Sequence, residues 1–290
     1  MKKVRMLSIV IFVAAVITYG LHNLNEWKNR DFGSPVIKVD GNSVTVSCTA
    51  GEEAMLEGVT AEDKKDGDVS DTLMIETMSN FIEKGRRNIT IAAFDSDNHV
   101  TKVTREVVYN DYHSPRFTLS EPLRFPKNTT TILSGMGVED VLDGTLTSNI
   151  KTSGDYYVEV DTPGEYSMVF TVTNSAGDVS ELPATVEIYD PAEEALKPQI
   201  MLSEYIVYTS VGTSINPWDY VEQITIGTSE YIRGGDNALT NAEYYHIYES
   251  EVTISNEVDY SVPGVYEITY RYKTQDREPG SVRLIVVVSE

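Results

Sequence analysis

Apolar and polar residues alternate late in each of three similar segments of this 290-residue chain. Even-numbered positions are all apolar in 166–173, and in 266–273 aromatic or aliphatic residues alternate with charged or polar ones throughout. Segment 88–94 occupies the same place in the first copy. A period of two predicts strands that bury one face. In each copy a turn and a last strand follow, at 100–109, 179–189 and 282–287.

The start of each segment repeats as well. Pro35, Pro115 and Pro198 each open a stretch in which the third and fifth residues are apolar, and the starts lie 80 and 83 residues apart. Short alternating strands at this spacing are typical of antiparallel β-sandwiches. The sequence therefore predicts an all-β protein of three tandem sandwiches.

The predicted organisation of the chain follows from these repeats. No long amphipathic helix is predicted after the N-terminal segment, and about 20 residues are inserted in the third repeat. The predicted parts are a basic end at 1–5, an apolar segment at 6–22, a tether at 23–34, and domains at 35–110, 115–190 and 198–290, the last with its insertion at about 227–251.

The N-terminus is typical of an export signal. Basic residues precede an uncharged run of 16 residues, 6–21, which as a helix would span about 24 Å of a hydrocarbon core ~30 Å thick. A cleaved signal peptide and a retained membrane anchor are both open. We favour the anchor, with Tyr19 and Trp27 at the outer interface, because the small residues of a cleavage site are missing.

The amino-acid composition limits the kinds of partner and activity that the chain can have. The formal net charge of −22 disfavours nucleic acid as a partner, and the single cysteine, Cys48, excludes an intrachain disulfide. The four histidines are scattered, and neither a nucleophile elbow, a zinc-protease motif nor a phosphate loop occurs. We expect no enzymatic activity and no cofactor.

Two motifs recur between the repeats. An acidic motif, Glu-Asp-x-x-Asp-Gly, occurs at 62–67 and 139–144. A second motif, Pro-Gly-x-Tyr, occurs at 163–166 and 263–266, and the turn 174–177 reads Asn-Ser-Ala-Gly. With the alternating strands, this set resembles the bacterial surface immunoglobulin-like domains. The resemblance covers about 35–190 and the second half of the third repeat.

The resemblance implies immunoglobulin-like sandwiches in an extracellular spacer or adhesion module. Taken with the N-terminal segment, it predicts a protein of a bacterial cell membrane that crosses once with the C-terminal part outside, and the alternative is a secreted protein. In such sandwiches a tyrosine at the start of the penultimate strand bonds its hydroxyl back to the backbone. We expect this structural role for Tyr166 and Tyr266, which follow Gly164 and Gly264.

The acidic motif of the first repeat admits two interpretations. Several carboxylates there would suit calcium, which binds six to eight oxygen ligands. Asp-Gly is also a common turn dipeptide, and aspartate side chains cap loop amides. The candidate calcium ligands are Asp63, Asp66, Asp68, Asp95 and Asp97.

The inserted segment of the third repeat is rich in tyrosine. Tyrosine-rich loops on a β-scaffold make good binding surfaces, because tyrosine buries a large area at low entropic cost. The alternative is an extra hairpin whose tyrosines cover the sandwich. The candidate ligand-binding residues are Tyr231, Arg233, Tyr244, Tyr245 and Tyr248. We predict a non-catalytic, membrane-anchored stalk for display or adhesion, or alternatively an adhesin that binds a surface glycan or an extracellular or envelope protein through this insertion.

Overall fold

The computed structural model describes residues 2–29, 33–153, 160–234 and 245–290. The chain divides into two compact units, Met1–Tyr112 and His113–Glu290. The fold is mainly β, as the alternation predicts. Ahead of the strands, helix α1 (Lys2–Asn29) contains the predicted apolar segment. In the described part of the chain, no helix reaches the length and apolarity that a membrane crossing requires.

The first unit contains one sandwich of two sheets, with orders β1-β3-β4 and β2-β7-β6-β5. The elements are β1 (Val36–Val39), β2 (Ser43–Val46), helix α2 (Glu52–Met55), β3 (Val59–Asp63), β4 (Gly67–Asp68), a 3-10 helix (Ser70–Thr72), β5 (Met74–Glu83), β6 (Arg86–Phe94) and β7 (Val100–Tyr109). Ala61, Val69 and Ala93 form a buried cluster. Buried Arg105 on β7 donates to the carbonyl oxygens of Met55, Glu57 and Asp40 at 3.1, 2.6 and 3.2 Å.

The second repeat forms sheets of order β11-β10-β8 and β12-β13-β14-β9. Its elements are β8 (Arg116–Leu119), β9 (Arg124–Pro126), β10 (Met136–Asp140), β11 (Gly144–Thr145), a 3-10 helix (Thr147–Asn149), β12 (Lys151–Ser153), β13 (Gly164–Thr173) and β14 (Val179–Tyr189). The segment between the second and third repeats then forms one helical turn, α3 (Pro191–Glu194). Asp190 caps this turn by accepting from Ala192 N at 3.0 Å, and Arg124 Nη2 lies 2.7 Å from Glu194 Oε1.

The third repeat forms sheets of order β15-β17-β18-β19 and β16-β22-β21-β20. Its elements are β15 (Gln199–Leu202), β16 (Ile206–Ser210), a 3-10 helix (Pro217–Tyr220), β17 (Val221–Ile226), β18 (Ser229–Arg233), β19 (Tyr245–Ile247), a 3-10 helix (Glu249–Glu251), β20 (Thr253–Asn256), β21 (Gly264–Tyr272) and β22 (Gly280–Ser289). The predicted insertion supplies β18 and β19.

One topology recurs in all three repeats. The last two long strands pair antiparallel, as in β6–β7, β13–β14 and β21–β22. A short early strand then runs parallel beside the last one, as in β2–β7, β9–β14 and β16–β22. The first two hairpins turn alike, because Asn98 and Gly177 occupy the same place with φ of 67° and 81°. Asparagine and glycine are the residues that tolerate this left-handed conformation best.

The second and third repeats share a core. Ile206 and Ile285 of the third repeat are buried in the cluster formed by the second. The Tyr208 hydroxyl accepts from Phe117 N at 2.7 Å and donates to Phe117 O at 3.2 Å. Glu267 accepts from the Thr185 amide at 2.6 Å and from its hydroxyl at 3.0 Å. The third sandwich is therefore held on the second by apolar packing and by direct hydrogen bonds.

Candidate functional site

The predicted tyrosines gather at one lateral edge of the third sandwich, where its first sheet ends. Strands β18 and β19 pair in parallel, with Tyr231 opposite Tyr245. The ring centroids of this pair are 5.2 Å apart, with the planes tilted by 32°. Tyr231 packs against the core, whereas Tyr245 is 64% exposed. The pair therefore reaches from the core, where Tyr231 packs, to the surface, where the ring of Tyr245 is exposed.

Tyr248 extends this surface beyond the end of β19. Its ring lies directly over Gly234, because a Cβ added there would come within 2.7 Å of Tyr248 Cε1. Gly234 N donates to Ile247 O at 2.8 Å, and Tyr248 N donates to Glu251 Oε2 at 2.9 Å. Tyr248 is nevertheless 54% exposed. Hydrogen bonds thus fix the backbone around Tyr248, and its exposed ring lies against Gly234.

Arg233 is tied to the neighbouring 3-10 helix. Its Nη1 lies 3.3 Å from both Trp218 O and Asp219 Oδ1. That helix begins at Pro217 and is capped by Asn216, whose side chain accepts from Trp218 N at 3.3 Å. The Arg233 charge is therefore shared with a carboxylate and a helix carbonyl. We name Tyr231, Arg233, Tyr245 and Tyr248 the tyrosine patch; Tyr244, predicted with them, lies outside the described residues.

Sequence reasoning missed two side chains beside the patch. Thr253 pairs with Arg271, so Glu251 lies just beyond the position opposite Tyr272. Tyr272 packs against the same core cluster as Tyr231. The pKa of Tyr272 is raised, first by burial and then by the charges of Glu251 and Tyr231. The sequence signal was the aromatic end of the alternating strand 266–273, but no motif links it to Tyr245.

In the first repeat, Asp63 and Asp66 of the acidic motif tie two loops together by hydrogen bonds, an arrangement that we name the loop clamp. Asp63 Oδ1 accepts from the amides of Lys65 and Asp66 at 2.7 and 2.9 Å. The Asp66 carboxylate accepts from Ser96 N and Ser96 Oγ, both at 2.9 Å. Asp63 is buried, and among the described residues its Oδ2 has no hydrogen-bond partner. The clamp joins the β3–β4 turn to the β6–β7 hairpin.

The hairpin side of this clamp is held by Asp95. Its Oδ1 accepts from the amides of Asp97 and His99 at 2.9 and 2.8 Å, and its Oδ2 lies 2.7 Å from His99 Nδ1. Burial by itself raises the pKa of Asp95, but the bonds and charge of His99, with the Asp97 amide, outweigh it and lower that pKa. Asp95 is therefore an ionised, hydrogen-bonded turn residue.

The second repeat has the same loop clamp, with an asparagine in the place of Asp95. Asp140 Oδ1 accepts from the amides of Leu142 and Asp143, both at 2.9 Å. Asp143 accepts from Ser175 N and Ser175 Oγ, both at 2.6 Å. Where the first repeat has Asp95, the second has Asn174, whose Nδ2 donates to Asp140 Oδ2 at 3.2 Å. The oxygen left unpaired in the first clamp is thus satisfied in the second.

The remaining candidate calcium ligands are also engaged within the protein. Asp68 Oδ1 accepts from Ser70 N at 3.0 Å, and Asp97 Oδ2 lies 2.7 Å from Lys65 Nζ. In the described ranges, no group of three or more histidine, cysteine, aspartate or glutamate side chains is arranged to hold a metal ion. The geometry therefore favours the turn-capping interpretation of this motif.

The two corner tyrosines have equal surroundings. Tyr166 Oη donates to Thr162 O at 2.9 Å, and Tyr266 Oη donates to Val262 O at 3.0 Å. A Cβ added to Gly164 or Gly264 would lie 3.6 or 3.2 Å from the nearest tyrosine ring atom. Each ring therefore folds back over its own glycine, and its hydroxyl closes the turn before the strand.

A small cleft between the second and third repeats is lined by Arg124, Thr185, Tyr205, Glu267 and Arg283, together with apolar side chains. Its charges are paired internally, since Arg124 bonds Glu187 and Glu194, and Arg283 Nε lies 3.5 Å from Glu267 Oε2. The cleft belongs to the joint between the two repeats.

No protein-family model matches the chain. A curated relative, an uncharacterized 81.3 kDa protein of Acholeplasma phage L2, is 28% identical over 109 residues, which cover 36% of this chain and 15% of that protein. The aligned region is therefore a small part of the relative's length, and identity at this level does not show a family.

Similar solved structures include the lipoprotein BT2262 from Bacteroides thetaiotaomicron, at 15% identity and a TM-score of 0.24, covering 59% of this chain and 98% of that one. CBM51-2 in complex with GlcNAc and INT domains from Clostridium perfringens ZmpB match at 16% and 0.21, covering 51% and 26%. The protocadherin GammaB4 extracellular domain matches at 16% and 0.20, covering 88% and 49%. TM-scores this low carry no argument about this chain.

Proposed function

We propose that this protein is a non-catalytic display module of immunoglobulin-like sandwiches, whose tyrosine patch is its contact surface for a partner. One observation carries the proposal. Tyr245 and Tyr248 are 64% and 54% exposed, although the ring of Tyr245 packs against Tyr231 and the ring of Tyr248 lies against Gly234. Rigid, exposed aromatic rings give up little conformational entropy on binding and bury a large area.

The support beneath the patch favours a contact role. Tyr231 anchors Tyr245 to the core of the third sandwich, and that sandwich is fastened to the second through Tyr208 and Glu267. A binding surface on a scaffold of packed strands keeps its geometry when it meets a partner, so less ordering is needed on binding.

The patch is tested by screening the full-length chain against an array of surface glycans and extracellular proteins. We expect Tyr245→Ala and Tyr248→Ala to lose the hits of the unaltered chain without changing its melting temperature. The matched control is Met201→Ala, because Met201 is 48% exposed on β15, at the other edge of the same sheet. Hits that survive both tyrosine changes would contradict the proposal.

We also propose that α1 anchors the protein in a bacterial cell membrane with residues 33–290 outside the cell. The support is a basic end before an uncharged run of 16 residues, 6–21. Protease added to intact cells should then digest the sandwiches and leave a membrane-bound N-terminal fragment. A soluble protein released without α1 would favour the secreted alternative, and protection from the protease would contradict an outside location.

A further inference from the structure

We infer that the tyrosine patch and its neighbours Tyr272 and Glu251 form a receptor for a basic peptide segment, with a lysine or arginine side chain lying against the exposed ring of Tyr245. The inference rests on the proposed contact role of the patch and names the chemistry of its partner. It follows from the aromatic walls, from the charges around them and from the net charge of the chain.

The aromatic walls come from both sheets of the third sandwich. Tyr231 and Tyr245 stand on β18 and β19, with their ring centroids 5.2 Å apart. Tyr272 ends β21 in the facing sheet, and Tyr231 and Tyr272 pack against one core cluster. The faces of aromatic rings carry partial negative charge and attract ammonium and guanidinium groups. The exposed ring of Tyr245 therefore offers a face to a cation, and Tyr231 and Tyr272 support it from the core.

A carboxylate stands at the same edge. Glu251 lies in the 3-10 helix before β20, where its charge contributes to the raised pKa of Tyr272, and it is fastened by accepting from Tyr248 N. Only one of its oxygens takes part in that bond, since Oε2 is the acceptor. Rings together with a positioned carboxylate are the donor set that recognises an organic cation.

The positive groups nearby do not fill this place. Arg233 is committed to Asp219 and to Trp218 O. Arg271, next to Tyr272 in β21, projects from the opposite face of the strand because side chains alternate along it. Glu249, an exposed residue beside Tyr248, adds further negative charge. Lys273, which follows Tyr272, is also exposed, so Glu249 and Glu251 share this edge with a further cation. The edge is therefore aromatic, and among the described residues its carboxylates outnumber its exposed ammonium groups.

The net charge of the whole molecule also favours a basic partner. A net charge of −22 repels acidic proteins and anionic polymers and attracts basic ones. Long-range attraction would raise the rate of encounter, and the rings and carboxylate would provide the specific contact. A neutral glycan would use the rings and leave the carboxylate without a counter-charge.

The test is fluorescence anisotropy of a labelled peptide of alternating arginine and serine, titrated with the full-length chain at low and moderate salt. We expect Tyr245→Ala to weaken binding about fivefold and Tyr245→Phe to leave it within twofold, because the ring face makes the contact. Glu251→Gln should also weaken binding. Glu181→Gln is the matched control, since it removes one charge from an exposed position on β14.

Some results would overturn the inference. Equal binding by the unaltered chain, Tyr245→Ala and Glu251→Gln would mean that only the overall charge attracts the peptide. Equal binding of a peptide with citrulline in place of arginine would exclude recognition of a cation. The inference would also fail if the arginine peptide did not bind measurably. If Tyr245→Ala abolishes array hits while the basic peptide does not bind, the contact role stands and this inference fails. If neither array nor peptide binding responds to the tyrosine changes, both proposals fail.

Discussion

The two loop clamps allow a swap experiment within one molecule. In the second clamp Asn174 Nδ2 donates to Asp140 Oδ2 at 3.2 Å, and both residues are buried. Asn174→Asp replaces that donor by an acceptor of nearly the same shape. It also places a second carboxylate beside Asp140, where the position equivalent to His99 is held by Asp178. The substitution therefore removes a hydrogen bond and adds like-charge repulsion without changing the packing.

The size of the effect follows from the lost bond. A hydrogen bond to a charged group contributes about 1.5–3 kcal/mol, and removing one partner of a buried group costs its desolvation as well. We expect Asn174→Asp to lower the free energy of unfolding of the second unit by at least about 2 kcal/mol at pH 7. For a unit of this size that corresponds to a melting temperature lower by about 4–8 °C.

The assay is urea and thermal unfolding of the full-length chain, followed by circular dichroism. Two adjacent carboxylates bind one proton more readily in the folded state than apart in the unfolded chain, so the deficit should shrink as the pH falls toward about 4. The control is Asn149→Asp, which adds the same charge at an exposed position. An Asn174→Asp chain as stable as this control at pH 7 would mean that the Asn174–Asp140 hydrogen bond does not stabilise the second unit.

The reciprocal change is Asp95→Asn in the first clamp. It supplies an amide donor beside the unpaired Asp63 Oδ2 and removes one of two neighbouring carboxylates, at the loss of the His99 contact. We expect the first unit to become more stable at pH 7. A lower stability would show that the Asp95–His99 contact outweighs the unpaired oxygen.

Three further substitutions follow from the structure. Arg105→Met should lower the free energy of unfolding of the first unit by about 2–4 kcal/mol in urea titrations, because three carbonyl oxygens lose their buried donor; an unchanged midpoint would contradict this. Burial raises the pKa of Tyr208 to about 12, so its contribution to stability is complete below about pH 10 and is lost as the pH rises through 12. Tyr208→Phe should cost about 1 kcal/mol at pH 7 and weaken that alkaline loss in pH-dependent melting, and an identical pH profile would argue against it. Gly234→Ala should displace the Tyr248 ring, since its Cβ would lie 2.7 Å from Cε1, and weaken array binding while the melting temperature changes little; full binding would mean that the ring position does not matter.

Alternation was sufficient to predict the last two strands of each repeat, but it missed the ten-residue β5, which is exposed along most of its length and so has no alternating buried face. The predicted strands 166–173 and 100–109 correspond to Gly164–Thr173 and Val100–Tyr109. The alternating pattern missed the start of this strand at Gly164, because a glycine has no side chain that could contribute to the pattern. The repeated Pro-Gly-x-Tyr motif identifies the corner glycines instead.

The joint between the second and third repeats was not predicted. Alternation reports one buried face, whereas β22 is buried on both, as its consecutive buried residues Leu284, Ile285 and Val286 show. A continuous apolar run of this kind is typical of a strand covered on both faces. This run was the sequence feature that could have indicated the joint. Which sandwich would cover the second face depends on long-range packing that no local pattern contains.

The candidate site was predicted in part. The inserted tyrosines Tyr231 and Tyr245 are placed together because β18 and β19 pair in parallel. Tyr272 and Glu251 belong to other elements, and only the pairing of the second sheet brings them near. The acidic motif was correctly located in turns, but its use of Asp63 Oδ1 as an amide cap could not be distinguished from ion binding by residue types alone.

The most direct test of the central claim is hydrogen–deuterium exchange of the full-length chain, alone and saturated with a target from the array. We expect slowed exchange on binding to be concentrated in 229–234 and 245–251, around the tyrosine patch. Protection confined to the first unit, or to the opposite edge of the third sandwich at 199–202, would contradict the assignment of the patch as the contact surface.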